Sequence, residues 1–195
     1  MPLIIGDILE PEIIGVVRDQ FPKLIWENGT KTAGSTAREV KKNLQADLST
    51  RSGAKLRDML KEAIGTHPVF KAFARPNKWS KLLISRTEPG GGYGLHIDNA
   101  LMGRPGEQIR TDLSFTLFLS DPESYEGGEL VIEQAGQSHS MKAKAGDLVV
   151  YPSNTLHQVA PVTSGTRYVC VGWVQSHVRS DEQREILFDL ENLRA

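Results

Sequence analysis

A period-two pattern decides the fold class, and it is clearest in Thr111–Ser120, which reads TDLSFTLFLS. Leu113, Phe115, Leu117 and Leu119 fall on alternate positions, so they would share one face of an extended strand. Further strand candidates are 81–86, 128–133, 139–144, 147–151, 156–162 and 166–175. Turn-forming residues, mainly Gly, Pro, Asp and Asn, separate them. Strands this short and this regularly punctuated predict an antiparallel sandwich or barrel.

Helices are predicted on both sides of this β region. Pro11 can open a first helix, and the apolar residues of 52–64 recur at the spacing of one helix face. Ser180 followed by Gln183 is the pattern of a capped helix start. We therefore predict a single mainly β (α+β) domain over 1–195. It divides into a helical N-terminal support region at 1–78, packed on one sheet, a β core at 79–178 and a C-terminal helix at 179–195.

Composition excludes several classes of protein. The 23 basic and 24 acidic residues nearly balance, so no basic surface for nucleic acid is expected. No apolar run approaches the roughly 20 residues that span a bilayer, and residues 1–12 lack the features of a secretory signal. Cys170 is the one cysteine, which excludes an internal disulfide, and it lies in an apolar run typical of a core. We expect a cytoplasmic protein without nucleic-acid or membrane partners.

Two histidines and one aspartate have the spacing of a metal site. His96 and Asp98 are two residues apart, so on a strand they would project from the same face. His157 opens a later predicted strand that can return to the same cavity. Two histidines and one carboxylate leave coordination positions open, as in non-heme Fe(II) oxygenases. The alternative is a turn histidine bonded to Asp98. The other histidines lack such spacing and are expected to be surface or turn residues: His67, His139 and His177.

Arg167 strengthens the metal-site interpretation. It lies on the next predicted strand, in phase with the apolar residues Val169 and Val171. An arginine on an apolar face needs a partner, because an unpaired buried charge is costly. The forked guanidinium suits a carboxylate, and no acidic residue nearby in sequence is an evident partner. The alternative is a structural ion pair with a distant Asp or Glu.

Several stretches of the chain carry a family resemblance. They are YGLHIDNA at 93–100, RTDLS at 110–114, LFLSDP at 117–122, GGEL at 127–130, AGDLVVYP at 145–152, LH at 156–157 and LFDL at 187–190. In this combination the chain resembles the PKHD-type hydroxylases, which are Fe(II)- and 2-oxoglutarate-dependent dioxygenases of the prolyl hydroxylase-like superfamily. The resemblance implies a double-stranded β-helix, or jelly roll, which agrees with the predicted strands.

The resemblance also implies a chemistry. His96, Asp98 and His157 would be the catalytic metal ligands for Fe(II), and Arg167 would bind the far carboxylate of 2-oxoglutarate. Tyr93 is a further candidate for co-substrate binding, although a buried core tyrosine is an equal alternative. The enzyme would use O2 to hydroxylate an unactivated C–H bond, with succinate and CO2 as co-products. L-ascorbate as reductant and a homodimer are expectations from the family.

The substrate is not fixed by these residues. The resemblance allows a prolyl-type protein residue or a small molecule linked to iron uptake. Asn99, Arg110 and Asp112 flank the metal region, where they would contact substrate or simply fix a lid-like loop at 101–108. The segments 32–34 and 42–43 resemble a family stretch that could close over the site, but a solvated surface is the favoured interpretation.

Two departures from the family and two alternative functions remain. Thr87 stands where relatives usually have an aromatic residue, and the chain stops at Ala195, before the C-terminal extension of its relatives.

A non-catalytic β-barrel that senses a metal or a small acid would use the same residues. So would a zinc hydrolase, but that enzyme does not need the internal carboxylate clamp that Arg167 suggests.

Overall fold

The structure is a computed structural model that describes residues 2–32 and 39–194. Its helices are α1 (Pro11–Arg18), α2 (Arg51–Thr66), α3 (Pro68–Ala74) and α4 (Asp181–Asn192). The strands before the predicted β core are β1 (Leu3–Ile5), β2 (Trp26–Asn28), β3 (Lys41–Lys42), β4 (Leu44–Ala46) and β5 (Pro76–Trp79). The others are β6 (Leu83–Thr87), β7 (Gly92–His96), β8 (Leu101–Met102), β9 (Ile109–Arg110), β10 (Leu113–Phe118), β11 (Tyr125–Gly127), β12 (Leu130–Gln134), β13 (Gln137–Met141), β14 (Leu148–Pro152), β15 (Leu156–Val159), β16 (Val162–Gly165) and β17 (Arg167–Ser176).

Two antiparallel sheets form the body of the fold. The major sheet has the order β1-β14-β10-β17-β6-β4-β2, and β5 also pairs with β17. The minor sheet has the order β13-β12-β15-β7-β3. Phe118 and Val169 of the major sheet pack with Leu130 and Ile132 of the minor sheet in one buried cluster. This arrangement confirms the predicted jelly roll with helices at both ends of the chain.

The larger core lies between the major sheet and the helices. Leu60 and Ile64 of α2 are completely buried there. The Phe70 ring of α3 packs edge-on against Phe115 of β10, with centroids 5.9 Å apart. Alternation along β10 explains this side: Leu113, Phe115 and Leu117 belong to the helix-facing core. The N-terminal helices therefore pack on one sheet, as predicted.

The intervening residues of β10 have a different character. Ser114 and Thr116 are buried but polar, and both line a cavity between the sheets. Every residue of β10 is buried, so the strand carries an apolar row on one face and a partly polar row on the other. Buried polar groups cost free energy unless they are hydrogen-bonded, so a polar row inside a jelly roll is unusual and often serves a functional site. The interior of the roll is therefore where a functional site is to be sought.

The structure differs from the sequence predictions at several elements. Residues 1–78 supply five strands as well as helices, including β1, which pairs with β14 at the edge of the major sheet. Strands of two to four residues are too short to produce a readable period. The predicted strand 156–162 is two strands, β15 and β16, separated at Pro161, which has no N–H for a ladder. Helix α3 was not predicted. It begins at Pro68 and ends at Ala74, and the next residue, Arg75, adopts the left-handed conformation.

Two local predictions, the capped start of the C-terminal helix and the burial of Cys170, are confirmed. The Ser180 hydroxyl accepts a hydrogen bond from the Gln183 amide and caps α4. Cys170 is fully buried, and burial raises the pKa of its thiol to about 12. Within the described ranges, no helix is long and apolar enough to cross a membrane.

The helix-facing core gives a stability prediction. Leu60→Ala removes a side chain with no exposed surface, so we expect the free energy of unfolding to fall by about 2–5 kcal/mol. Leu190→Ala on α4 is the matched control, because that side chain is 49% exposed and its loss should change stability by less than about 1 kcal/mol. Urea denaturation of both variants measures the difference. Equal losses would contradict the assignment of the core.

Candidate functional site

The pairing of β15 with β7 brings the two predicted histidines together. His157 lies directly opposite His96 in this antiparallel pair, and their ring centroids are 4.3 Å apart. Asp98 lies beyond the end of β7 rather than within the strand, which corrects the strand placement that the sequence suggested. Its Oδ1 is 3.7 Å from His96 Nε2, and its Oδ2 is 3.7 Å from His157 Nε2. Ligand atoms of the three residues lie within 4.8 Å of one another.

Hydrogen bonds to the backbone orient both imidazoles. His96 Nδ1 lies 2.7 Å from the Gly94 carbonyl oxygen, and His157 Nδ1 lies 2.9 Å from the Thr155 carbonyl oxygen. A carbonyl only accepts, so each Nδ1 carries the proton and each Nε2 keeps its lone pair. Burial, followed by the nearby His157, lowers the pKa of His96, which favours the neutral ring. Neutral imidazoles with free Nε2 atoms are metal ligands.

Asp98 is held by two donors from the major sheet. Its Oδ2 accepts hydrogen bonds from the Ser114 hydroxyl at 2.6 Å and from the Trp173 indole N–H at 2.8 Å. Ser153 Oγ lies 2.8 Å from Ser114 Oγ and extends this network. Both donors bind Oδ2 and leave Oδ1, which lies 3.7 Å from His96 Nε2, free of these two hydrogen bonds. The set of two Nε2 atoms and one carboxylate oxygen therefore fits Fe(II) chemically.

Arg167 is buried at the start of β17, with 2% of its surface exposed. Its Nε and Nη2 have no hydrogen-bond partner in the part of the chain that the structure describes. No ion pair to a carboxylate forms there either, so the alternative of a structural ion pair finds no partner among residues 2–32 and 39–194. Burial lowers the pKa of the guanidinium, although the nearby Tyr125 opposes this effect. An unsatisfied buried guanidinium fits a ligand carboxylate.

Two cavities meet at His96 and Asp98, which line both of them. The inner one, of about 80 Å³, is lined by His96, Asp98, His157 and Arg167. The outer one, of about 730 Å³, is lined by His96, Asp98 and residues of the β8–β9 region. The inner cavity therefore joins the His-Asp-His cluster to the unpaired guanidinium, and the outer cavity offers space for a second molecule.

The other predicted site residues divide into two groups. Tyr93 stacks on His96 with ring centroids 3.7 Å apart and lines both cavities, and burial raises its pKa to about 12. Asn99 lines the outer cavity. Arg110 instead forms a bidentate ion pair with Asp112, at 2.6 and 2.8 Å, and also donates to the Ser176 carbonyl.

These contacts favour the alternative in which Arg110 and Asp112 fix the loop. The pair ties β9 to the end of β17, and neither residue is among those that line the two cavities. The loop itself is the β8–β9 hairpin, and its role as a lid stays a prediction. Direct contact of Arg110 or Asp112 with substrate also stays a prediction.

The segments singled out for resemblance are partly outside the described residues. Thr87 lies opposite Arg167 in the β6–β17 pairing and lines the inner cavity. Asn43 lines the inner cavity as well, and Thr32 lines the outer one. Ala33 and Gly34 lie outside the described residues.

Sequence reasoning missed several neighbours of the site. Tyr125 faces Arg167, and its hydroxyl is buried without a hydrogen-bond partner among the described residues. Its place just before Gly127-Gly128 was the available signal. Ser114 could have been noticed as a polar residue between the apolar residues Leu113 and Phe115 of a predicted strand. Lys41 lines both cavities, and no pattern in the sequence singled it out.

Comparisons with known proteins agree with this geometry. The profile of the 2OG-Fe(II) oxygenase superfamily matches residues 82–175. A PKHD-type hydroxylase of Hyphomonas neptunium is 53% identical over 193 residues, which are 99% of this chain and 86% of that protein. The chain belongs to the PKHD-type hydroxylase family. A PKHD-type hydroxylase of Synechococcus elongatus is 43% identical over 194 residues, covering 100% of this chain and 87% of its relative.

Solved structures share the fold. An oxidoreductase of the 2OG-Fe(II) oxygenase family from Burkholderia pseudomallei has a TM-score of 0.65 at 14% identity, covering 92% of this chain and 86% of that one. A Pseudomonas putida prolyl-4-hydroxylase has a TM-score of 0.59 at 20% identity, covering 91% and 93%. The hydroxylase described here is accordingly an oxygenase of this superfamily, and membership implies Fe(II) and 2-oxoglutarate as its cofactors.

The glycine beside Arg167 gives a prediction for the hydroxylase. Gly128 has a φ of +69°, and a Cβ there would lie 2.9 Å from Arg167 Cδ and 3.1 Å from Tyr125 Cε2. Gly128→Ala should therefore combine backbone strain with crowding. Gly136→Ala is the control, since Gly136 has a φ of +78° with nothing within 4 Å.

We expect Gly128→Ala to lower the free energy of unfolding by about 1–3 kcal/mol more than Gly136→Ala does. Urea denaturation of the two variants measures the difference. If both variants lose the same stability, the close packing of Gly128 on Arg167 is refuted.

Proposed function

We propose that His96, Asp98 and His157 hold Fe(II) and that Arg167 holds the far carboxylate of 2-oxoglutarate. The observation that carries this proposal is the buried guanidinium of Arg167, which lacks a described partner and lines the same inner cavity as the three ligands. A side chain kept charged and unpaired inside a fold is explained when a ligand supplies the opposite charge. The family membership of the chain supports the same pair of cofactors.

Each residue then has a definite task. The Nδ1 hydrogen bonds of His96 and His157 hold both rings with Nε2 toward the metal. Ser114 and Trp173 hold Oδ2 of Asp98, so Oδ1 is the oxygen that we assign to the metal. When bound, Fe(II) and 2-oxoglutarate supply the oxidation of a substrate C–H bond by O2, with release of succinate and CO2.

Neighbouring side chains would complete the co-substrate site. The Tyr125 hydroxyl faces the guanidinium and has no other described partner, so it is available to donate to the same carboxylate. Thr87 lines the cavity beside Arg167, where its hydroxyl can do the same. Threonine in place of an aromatic residue would thus enlarge the co-substrate site rather than abolish it. Tyr93, stacked on His96, would shield the metal from solvent.

The substrate would enter through the outer cavity, where Asn99 can contact it. A prolyl-type protein residue and a small molecule linked to iron uptake are both within reach of this chemistry. We further propose a cytoplasmic enzyme, organised as N-terminal support at 1–78, oxygenase core at 79–178 and C-terminal helix at 179–195. A homodimer and L-ascorbate as the reductant complete the proposal.

The proposed role of Arg167 is tested by Arg167→Gln. Losing one member of a buried charge pair costs about 2–5 kcal/mol, so affinity for 2-oxoglutarate should fall at least 30-fold while Fe(II) affinity changes little. Anaerobic titration of the iron–oxoglutarate absorption band and succinate release under air measure both effects. Arg57→Gln, on α2 outside both cavities, is the control and should behave as the native chain does. Unchanged affinity in Arg167→Gln would refute the role.

The proposed role of Asp98 is tested through its hydrogen bond. Ser114→Ala removes a 2.6 Å bond to the carboxylate, and loss of such support typically weakens metal binding about 10- to 100-fold. Ser138→Ala is a matched control, because its hydroxyl makes a solvent-exposed 2.6 Å bond to the Glu133 carboxylate. Calorimetric titration with Fe(II) or Co(II) under argon compares the two variants. Equal affinities would contradict Asp98 as a ligand held by Ser114.

A further inference from the structure

Lys41 is a cation placed at the junction of the two cavities. It lies on β3, opposite Tyr93 of β7, and its side chain lines both the inner and the outer cavity. Its Nζ donates to Thr32 Oγ1 at 3.1 Å and lies 5.0 Å from the centre of the Tyr93 ring. Thr32 uses one of the three ammonium protons, which leaves two for another acceptor.

Lys41 makes no ion pair in the part of the chain that the structure describes, although Asp98 attracts its charge. No carboxylate forms an ion pair with it among the described residues, and residues 33–38, which the structure does not describe, contain no Asp or Glu. Burial lowers the pKa of Lys41 to about 8, and the attraction of Asp98 opposes this effect. Under the proposed function, Fe(II) would balance the negative charge of Asp98. The Lys41 ammonium would then be available to pair with an anionic ligand.

The walls of the outer cavity are otherwise mainly apolar. Seven large apolar side chains contribute to this surface: Trp79, Leu83, Ile97, Leu101, Met102, Ile109 and Trp173. Lys81 and Arg104 add positive charge, and Glu107 is the one acidic lining residue besides Asp98 within the described part of the chain. The volume of about 730 Å³ lies within the range of about 300–1,000 Å³ typical of small-molecule sites.

We propose that the outer cavity takes a small amphipathic acid as substrate, with its carboxylate paired to Lys41 and its hydrocarbon part packed on the apolar wall. The inference rests on the proposed function and names the class of substrate for it. A carboxylate matches a single ammonium with two free protons. The acid places its neighbouring C–H bonds beside His96 and Asp98, which line the same cavity.

The test uses the full chain loaded with Fe(II) and 2-oxoglutarate without oxygen. Trp79 and Trp173 line the cavity, so their fluorescence reports binding. The probes are N-acetyl-L-leucine, the neutral N-acetyl-L-leucinamide, and the capped neutral peptide acetyl-Leu-Pro-Gly-amide. We expect the acid to bind at least tenfold more tightly than the amide. The preference should vanish in Lys41→Gln, persist in Lys41→Arg, and remain intact in the control Lys55→Gln on α2.

Three results would overturn the inference. One is equal binding of acid and amide to the native chain, and another is tighter binding of the prolyl peptide than of the acid. The third is a tenfold loss of 2-oxoglutarate affinity in Lys41→Gln, which would assign Lys41 to the co-substrate. Failure of the native chain to form the iron–oxoglutarate absorption band would instead remove the proposed function. The band therefore separates failure of the function from failure of the substrate class.

Discussion

The register of one strand pair determines whether this site exists. β15 pairs with β7 so that His157 lies opposite His96, although the two residues are far apart in sequence. Side chains alternate between the faces of a sheet, so a slip of one residue would turn His157 away from the cavity. β12 fixes the register from the other side, because Ile132 lies opposite His157 and is completely buried. The cluster of His96, Asp98 and His157 thus depends on apolar packing within the minor sheet.

The two sheets contribute different parts of the site. The minor sheet supplies the histidines, whereas the major sheet supplies Arg167 and the donors that hold Asp98. Two cations that form no described ion pair, the buried Arg167 and the half-buried Lys41, line the cavities. Such charges lower the stability of the empty protein, and an anionic ligand that paired with them would restore some of it. We infer that this protein gives up some stability for a cavity prepared for acids.

The sequence predicted the parts of the molecule that have strong local patterns. Alternation in β10 helped to predict an antiparallel sandwich or barrel, which the family resemblance narrowed to a jelly roll, and Ser180 with Gln183 predicted the start of α4. The short strands β1 and β3 could not be predicted, because two or three residues show no periodicity and their pairing partners lie far away in sequence. Lys41 was missed for the same reason. Its importance comes from where β3 joins the sheet, and no feature of its own neighbourhood in the sequence shows this.

The position of β17 has a consequence for how the protein folds during synthesis. β17 is the last strand in chain order among the described residues, yet it lies at the centre of the major sheet, between β10 and β6. Until β17 leaves the ribosome, the sheet exists only as two halves with exposed edges. Such long-range closure makes folding slow and leaves unpaired strands open to aggregation. Because Arg167 and Trp173 are on that strand, a nascent chain cannot form the complete inner cavity until the last strand is inserted.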